Sequence, residues 1–403
     1  MNHEQSLAYM HNLLRMMLEK KASDLFISAD FPPSMKIDGK MTPIAPQKLT
    51  SAHTKAFAYA LMNEKQRGSF ENEKECNFAI APEGIGRFRV NAFVQQEHVG
   101  MVLRTITTKI PNFDEMGLPP QLKEVMMSKR GLIILVGGTG SGKSTTLAAL
   151  IDYRNECSHG HIITIEDPVE YVHPSKNCLI THREVGRDTL DWFPALKNTL
   201  RQAPDVILIG EIRDRETMEF ALNFAETGHL CMATLHANSS NQALDRILNF
   251  FPEERHQQLH MDLSLNLRAF ISQRLVPKKG GGRCAAIEIL LNSPLVADLI
   301  LKGETNMVKE AMAKSVELGM QTFDQALFNL CEEGRITEED ALRNADSINE
   351  LRLRFKLHSK DSKVKDASDR IAHLSLHEDE PEEEEEIPPP AAGTAQSPVK
   401  AAG

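Results

Sequence analysis

A chain of 403 residues with a 41% apolar share has enough hydrophobic material for two or three packed domains. Its 46 basic residues against 56 acidic ones give a formal charge of −10, which argues against a broadly basic nucleic-acid-binding surface. Six cysteines are scattered without a C-x-x-C pair, so neither a zinc site nor a disulfide framework is suggested, and scattered free thiols suit a reducing compartment.

The chain opens on "MNHEQSLAYMHNLLRMMLEKKASD". Glu4 interrupts it early and no long apolar run follows, so it does not read as a signal peptide. Leu7, Met10, Leu14 and Met17 instead fall at the spacing of an amphipathic helix. "SDLFIS" and "SMKIDGKM" predict short strands around a Pro32-Pro33 turn. "GRFRVNAFVQ" alternates, with Phe88, Val90, Ala92 and Val94 on one face and Arg87, Arg89, Asn91 and Phe93 on the other. Residues 1–105 therefore form a small α+β domain in this reading. The proline-rich "TTKIPNFDEMGLPP" predicts a linker over 106–119.

The pattern then changes. "PQLKEVMMSKRG" predicts a helix with Lys129 and Arg130 in its last turn and Gly131 as its stop. "LIILV", "TIE" and "VILIGE" are aliphatic strands between helices, which implies a parallel sheet covered on both faces. The run Leu132 to Val136 is too short to span a bilayer. Near the end, "LGMQTFDQALFNLCEEGRITEEDALRNA" predicts two short helices, the second capped by Thr337 with Asp340. This second domain covers 120–355. The remainder, 356–403, holds "EDEPEEEEE" and a proline run. It cannot build a core and is expected to be disordered, as a solvating tail or an acidic docking tail.

Chemistry enters at "GGTGSGKS", Gly137 to Ser144, directly behind the "LIILV" strand. G-x-x-x-x-G-K-[ST] is a phosphate-wrapping loop. Glycines let the backbone turn its amides inward, and the following helix adds its positive end. Gly137, Gly138, Thr139, Gly140, Ser141 and Gly142 form the wrap. Lys143 reaches the β and γ phosphates, the Ser144 hydroxyl ligates magnesium, and Thr145 caps the helix or contacts phosphate. The pattern arises by accident in roughly one chain of this length in a hundred, and a preceding strand and following helix sharpen it further.

Hydrolysis also needs a carboxylate on the metal side and a group that orients or deprotonates water. "DVILIGEIRD" supplies Glu211 at a strand end. "IITIEDPVEY" supplies Glu166, Asp167 and Glu170 at another, where Pro168 stops the strand. Strand carboxyl ends are where open α/β sheets bind ligands. "ETGHLCMATLHANS" adds His229 and His236, seven apart. Their spacing alone points to structural or surface histidines, with a γ-phosphate sensor as the alternative.

"GGTGSGKSTT", "IITIEDPVEY", "DVILIGEIRD" and "GHLCMATLHAN" resemble, in order, the Walker A, Asp box, Walker B and His box of the secretion-superfamily ATPases. Within that superfamily the chain is most similar to the type IV pilus retraction group (the PilT/PilU group). The resemblance implies an α/β fold: a RecA-like P-loop ATPase domain behind a smaller PAS-like α+β domain. It implies ATP and Mg2+ as ligands, Glu170 as general base, Glu211 as the Walker B acid acting on magnesium, and His229 and His236 as the His-box pair. Arg87, Arg89, Arg104 and Arg213 become candidate arginine sensors. The implied assembly is a homo-hexamer in the cytoplasm at the inner-membrane pilus base. Its partners there are a PilT paralogue and a PilC-type platform protein, with neither nucleic acid nor direct membrane insertion. A non-hydrolysing partner of a PilT hexamer and a RecA-like nucleic-acid translocase are the competing readings. Two departures from the superfamily matter. The paired-cysteine module of extension ATPases is missing. Where the retraction group carries "AIRNL", this chain has "LVADL", with Ala297 and Asp298 replacing arginine and asparagine. The first argues against the extension role, and the second implies a PilT-dependent accessory retraction motor.

Overall fold

A computed structural model describes residues 2–359 apart from 38, 107 and 108. Of the tail expected over 356–403, residues 360–403 lie outside the described residues, whereas 356–358 end the helix Ile348–His358. Among the described residues no helix is long and apolar enough to cross a membrane.

The opening helix runs His3–Glu19 and is started by a reciprocal cap between Asn2 and Gln5. Met10, Leu14 and Met17 are fully buried, as the spacing requires. They pack over a six-stranded antiparallel sheet built from β1 (Asp24–Ile27), β2 (Ser34–Ile37), β3 (Lys40–Pro43), β4 (Glu75–Ile80), β5 (Arg87–Gln95) and β6 (His98–Ile106). The sheet order is β3-β2-β1-β6-β5-β4. "SMKIDGKM" makes a hairpin of two strands where one was expected. In β5 the alternation holds: Phe88, Val90 and Ala92 face the core, which turns Arg87 and Arg89 away from it.

The second sheet contains β7 (Gly131–Val136), β8 (Gly160–Glu166), β9 (Cys178–Glu184), β10 (Val206–Ile209), β11 (Leu230–Leu235), β12 (Leu267–Pro277) and β13 (Arg283–Leu291). Its order is β13-β12-β7-β11-β10-β8-β9. The strands are parallel except for the antiparallel β12–β13 pair at one edge. In β7 the two-residue period sends Leu132, Ile134 and Val136 to one face. Ile133 and Leu135 go to the other. The helix after the glycine loop, Lys143–Cys157, packs on the Ile133 face through Leu147, Leu150 and Ile151. Helix Ser240–Leu248 packs on the opposite face through Ala243, Leu244 and Ile247. The two helices therefore follow adjacent strands, β7 and β11, onto opposite faces. That leaves a crevice at their carboxyl ends, the ligand position of an open α/β sheet.

Two local expectations change. The helix predicted to end at Gly131 covers only Gln121–Met126, so Lys129 and Arg130 lie beyond its last turn. The reason is Arg154, whose Nη1 takes the carbonyls of Met126 and Ser128 at 2.5 and 2.9 Å and closes the helix early. Gly131 opens β7 with φ +114°, its N–H donating to His229 O. The proline-rich segment before that helix is anchored, since Phe113 and Leu118 are buried in the same core as Ile133. The paired late helices are present as Phe323–Glu332 and Glu338–Arg343, and Thr337 Oγ1 accepts from Asp340 N at 3.0 Å.

Candidate nucleotide site

The glycine loop joins β7 to its helix at the crevice. Gly140 and Gly142 hold φ at +75° and +87°, values that other residues reach only with strain. Gly137 is required for space: a Cβ there would lie 2.4 Å from Ser141 Oγ and 2.8 Å from Gln273 O. Lys143 is 8% exposed. Its Nζ donates to the carbonyls of Gly137 and Gly138 at 2.7 and 3.0 Å. Burial lowers its pKa from the ordinary lysine value, while Glu211 and Glu170 oppose that shift. Ser141 Oγ is buried and has no hydrogen-bond partner among the described residues. A buried cation and an orphaned hydroxyl in one glycine loop suit an oxygen-rich anion such as a polyphosphate.

The crevice is a cleft of about 530 Å³. Its lining brings together the loop residues Thr139 to Thr145, the acids Glu166, Asp167, Glu170 and Glu211, and Arg89, Arg213 and His236. Glu166 ends β8, and Glu170 follows on the turn beyond Pro168. Glu211 follows β10, and its position is fixed through Gly210, which donates to Ile165 O and accepts from Thr234 Oγ1. One Glu211 oxygen takes Arg213 Nε at 2.7 Å and the other faces His236 Nε2 at 3.2 Å. Burial first, then Lys143, holds the His236 pKa below the usual histidine range. The neutral ring is favoured, and its Nε2 stands close to Glu211 Oε1 as an electrostatic neighbour.

Three expected residues lie elsewhere. His229 precedes β11 while His236 follows it, so a strand of about 20 Å separates them. His229 Nδ1 sits 3.1 Å from Thr227 Oγ1 and does not line the cleft. Arg104 pairs with Asp24 at 2.8 Å inside the first sheet. Arg87 is engaged by Glu184 at the end of β9. Only Arg89 and Arg213 of the four candidate arginines line the cleft. Cross-strand alternation put Arg87 and Arg89 on one face but carried no information about which residue each meets.

Two residues that support the loop escaped sequence reading. Gln273, buried on β12, accepts from Thr146 Oγ1 at 2.7 Å and donates to Ser141 O at 2.8 Å, clamping both ends of the turn. Tyr171 places its hydroxyl 3.2 Å from Thr145 Oγ1. Gln273 lies more than a hundred residues from the loop, and no local pattern marks it.

Glu166 gives the site a measurable pH signature. Burial, opposed by the Thr164 hydroxyl and by Arg87, pushes its carboxyl from an ordinary 4.5 up to about 7. Between those values the folded chain holds a proton that the unfolded chain has lost, so stability falls as pH rises through the window. Glu166→Gln removes that loss. Its gain over the native chain should emerge between pH 4.5 and 7 and be complete above 7, reaching up to ~3 kcal/mol. Urea denaturation at pH 4.5 and pH 8 checks this. An equal gain at both values would show that protonation is not the cause.

A family model described as "Type II/IV secretion system protein" matches residues 2–339. The chain is 60% identical over 348 residues to the type IV pilus ATPase PilU of Pseudomonas aeruginosa, covering 86% of this chain and 91% of that one. It is 44% identical to the type IV pilus retraction ATPase PilT of the same organism, over 83% of this chain and 97% of that one. A crystal structure of the pilus retraction motor PilT with bound ADP superposes with a TM-score of 0.80 at 41% identity. It covers 85% of this chain and 98% of that one.

Proposed function

The chain belongs to the type II/IV secretion system protein family, and from that premise we propose an ATP-hydrolysing motor that drives or assists type IV pilus retraction. The observation that carries the reading is the buried Lys143 ammonium, held in the glycine loop within the electrostatic reach of both Glu170 and Glu211. The loop binds the phosphates, and Lys143 leaves its two carbonyl acceptors to meet the β and γ oxygens. Glu170 takes the proton of the attacking water. Arg213 holds the Glu211 carboxylate through its Nε, with the His236 ring beside the other oxygen. Arg89 is the N-terminal cation on the cleft wall.

Ser144 and Glu211 supply hard oxygen donors suited to magnesium, whose remaining ligands would be phosphate oxygens and water. Bound there, magnesium neutralises phosphate charge. Support for a two-domain protomer, with residues 1–105 and 120–355 joined over 106–119, is the separation of the two sheets in sequence. The working form in this reading is a homo-hexamer at the cytoplasmic side of the inner-membrane pilus base, acting with a PilT paralogue and a PilC-type platform protein. Ala297 and Asp298 speak for the accessory role: on helix Pro294–Lys302 they stand where the retraction group's motif has arginine and asparagine, and the Asp298 carboxylate pairs with Lys302 at 2.6 Å.

The purified full-length chain should hydrolyse ATP. Fibre retraction in cells should fall when this chain is removed and should still require the PilT paralogue. An assembled protein that binds ATP without turnover would instead make it a nucleotide-gated partner. Retraction at native force without the paralogue would end the accessory reading.

A further inference from the structure

Arg87 leaves its own sheet. It starts β5, on the face turned away from Phe88 and Val90, and its guanidinium is inserted beside the carboxyl ends of β8 and β9. There Arg87 Nη2 donates to Glu184 Oε2. The same oxygen accepts the N–H of Val169 at 3.2 Å. Val169 immediately precedes Glu170, so one carboxylate oxygen is shared by the N-terminal sheet and the turn that carries the candidate base.

The carboxylate is held firmly. Glu184 is 3% exposed. Its backbone closes a tight turn, with its N–H donating to Asp188 Oδ2 at 2.9 Å and its carbonyl accepting from Asp188 N at 2.8 Å. Glu166 is its register partner on the parallel strand β8, so the two acids share a face. Arg87 offsets both charges: it is ion-paired to Glu184, and its field favours the ionised form of Glu166. Without that cation, a buried acid pair would stand against the turn. Arg87 Nε is buried and has no partner among the described residues, so the guanidinium is tied into the second sheet through Nη2 and Glu184.

We infer that Arg87 and Glu184 form a latch through which the N-terminal sheet positions Glu170 for hydrolysis. Arg87 is then a positioning residue that acts through Glu184 and Val169, and it makes no contact with phosphate. The effect on rate rests on the proposed role of Glu170; the latch itself does not.

The test uses the full-length chain with ATP and Mg2+. Arg87→Ala and Glu184→Gln should each lower kcat about 10- to 100-fold, as a displaced reacting group does, while KM for ATP stays within about twofold. Arg87→Lys should recover part of the loss. The double variant should lose no more than either single one, because both break the same contact. It also removes both charges, so it remains informative if Arg87→Ala folds poorly. Hydrogen exchange at the Val169 amide should be faster in both single variants and unchanged in Lys143→Ala. The latch is overturned if Arg87→Ala raises KM with kcat intact, if the two losses multiply, or if Val169 exchange does not change. Glu170→Gln, run alongside, separates the two readings: full turnover there removes the base assignment, and accelerated Val169 exchange in Arg87→Ala still upholds the latch.

Discussion

Glu170→Gln is expected to bind ATP as the native chain does and to turn it over about 10²–10⁴ times more slowly, the usual worth of a general base. The substitution keeps the side chain's size and removes its capacity to take a proton. Glu170 lies on the wall of the cleft, on the turn that follows β8, close enough to Lys143 to act on its charge. Its backbone neighbour Val169 is tied to Glu184, so the turn stays in place when the carboxylate becomes an amide. Binding should survive because the glycine loop and Lys143 are unchanged. Phosphate release under steady-state and single-turnover conditions, with ATP titrated by fluorescence, reports both halves. Native turnover in this variant would refute the assignment.

Lys143→Ala should weaken ATP and ADP binding by about 10²–10⁴-fold. A hydrogen bond to a charged group contributes ~1.5–3 kcal/mol, and an ammonium that leaves two carbonyls for phosphate oxygens makes more than one. The nucleotide-free protein responds differently. Its buried ammonium carries a desolvation cost that the deletion removes along with the two hydrogen bonds, so the two changes offset each other. The urea midpoint without nucleotide should therefore stay near the native one, while the added stability from saturating ADP disappears. A variant that gains as much stability from ADP as the native chain would disprove the role given to Lys143. A large loss of stability without ligand would mean that the lysine is a structural anchor.

These expectations depend on residues that were legible to very different degrees. The glycine loop was readable because its demands are local. Positive φ at Gly140 and Gly142, the Ser141 hydroxyl against Gly137 and a lysine at the helix start are all set within eight residues. The aliphatic strands and the stripe Met10, Leu14, Met17 were readable because burial imposes a period on the chain. The helix before β7 was drawn too long because the residue that ends it, Arg154, arrives from the next helix. The candidate arginines could not be sorted for the same reason: Arg87, Arg89 and Arg104 are chemically alike, and only their neighbours differ.

The amino-acid sequence by itself determined the phosphate loop, the acids placed at strand ends, the alternating face of β5 and the separation into two sheets, since each follows from short-range sterics or from a repeating apolar pattern. Tertiary structure alone decided that Gln273 clamps the loop, that His236 and Arg213 bracket Glu211 while His229 stays at the far edge, and that Arg87 meets Glu184. Such contacts join residues up to more than a hundred positions apart. A hydrogen bond or ion pair leaves no periodic mark on either segment, so its partner is fixed only when the strands take their order in the sheet.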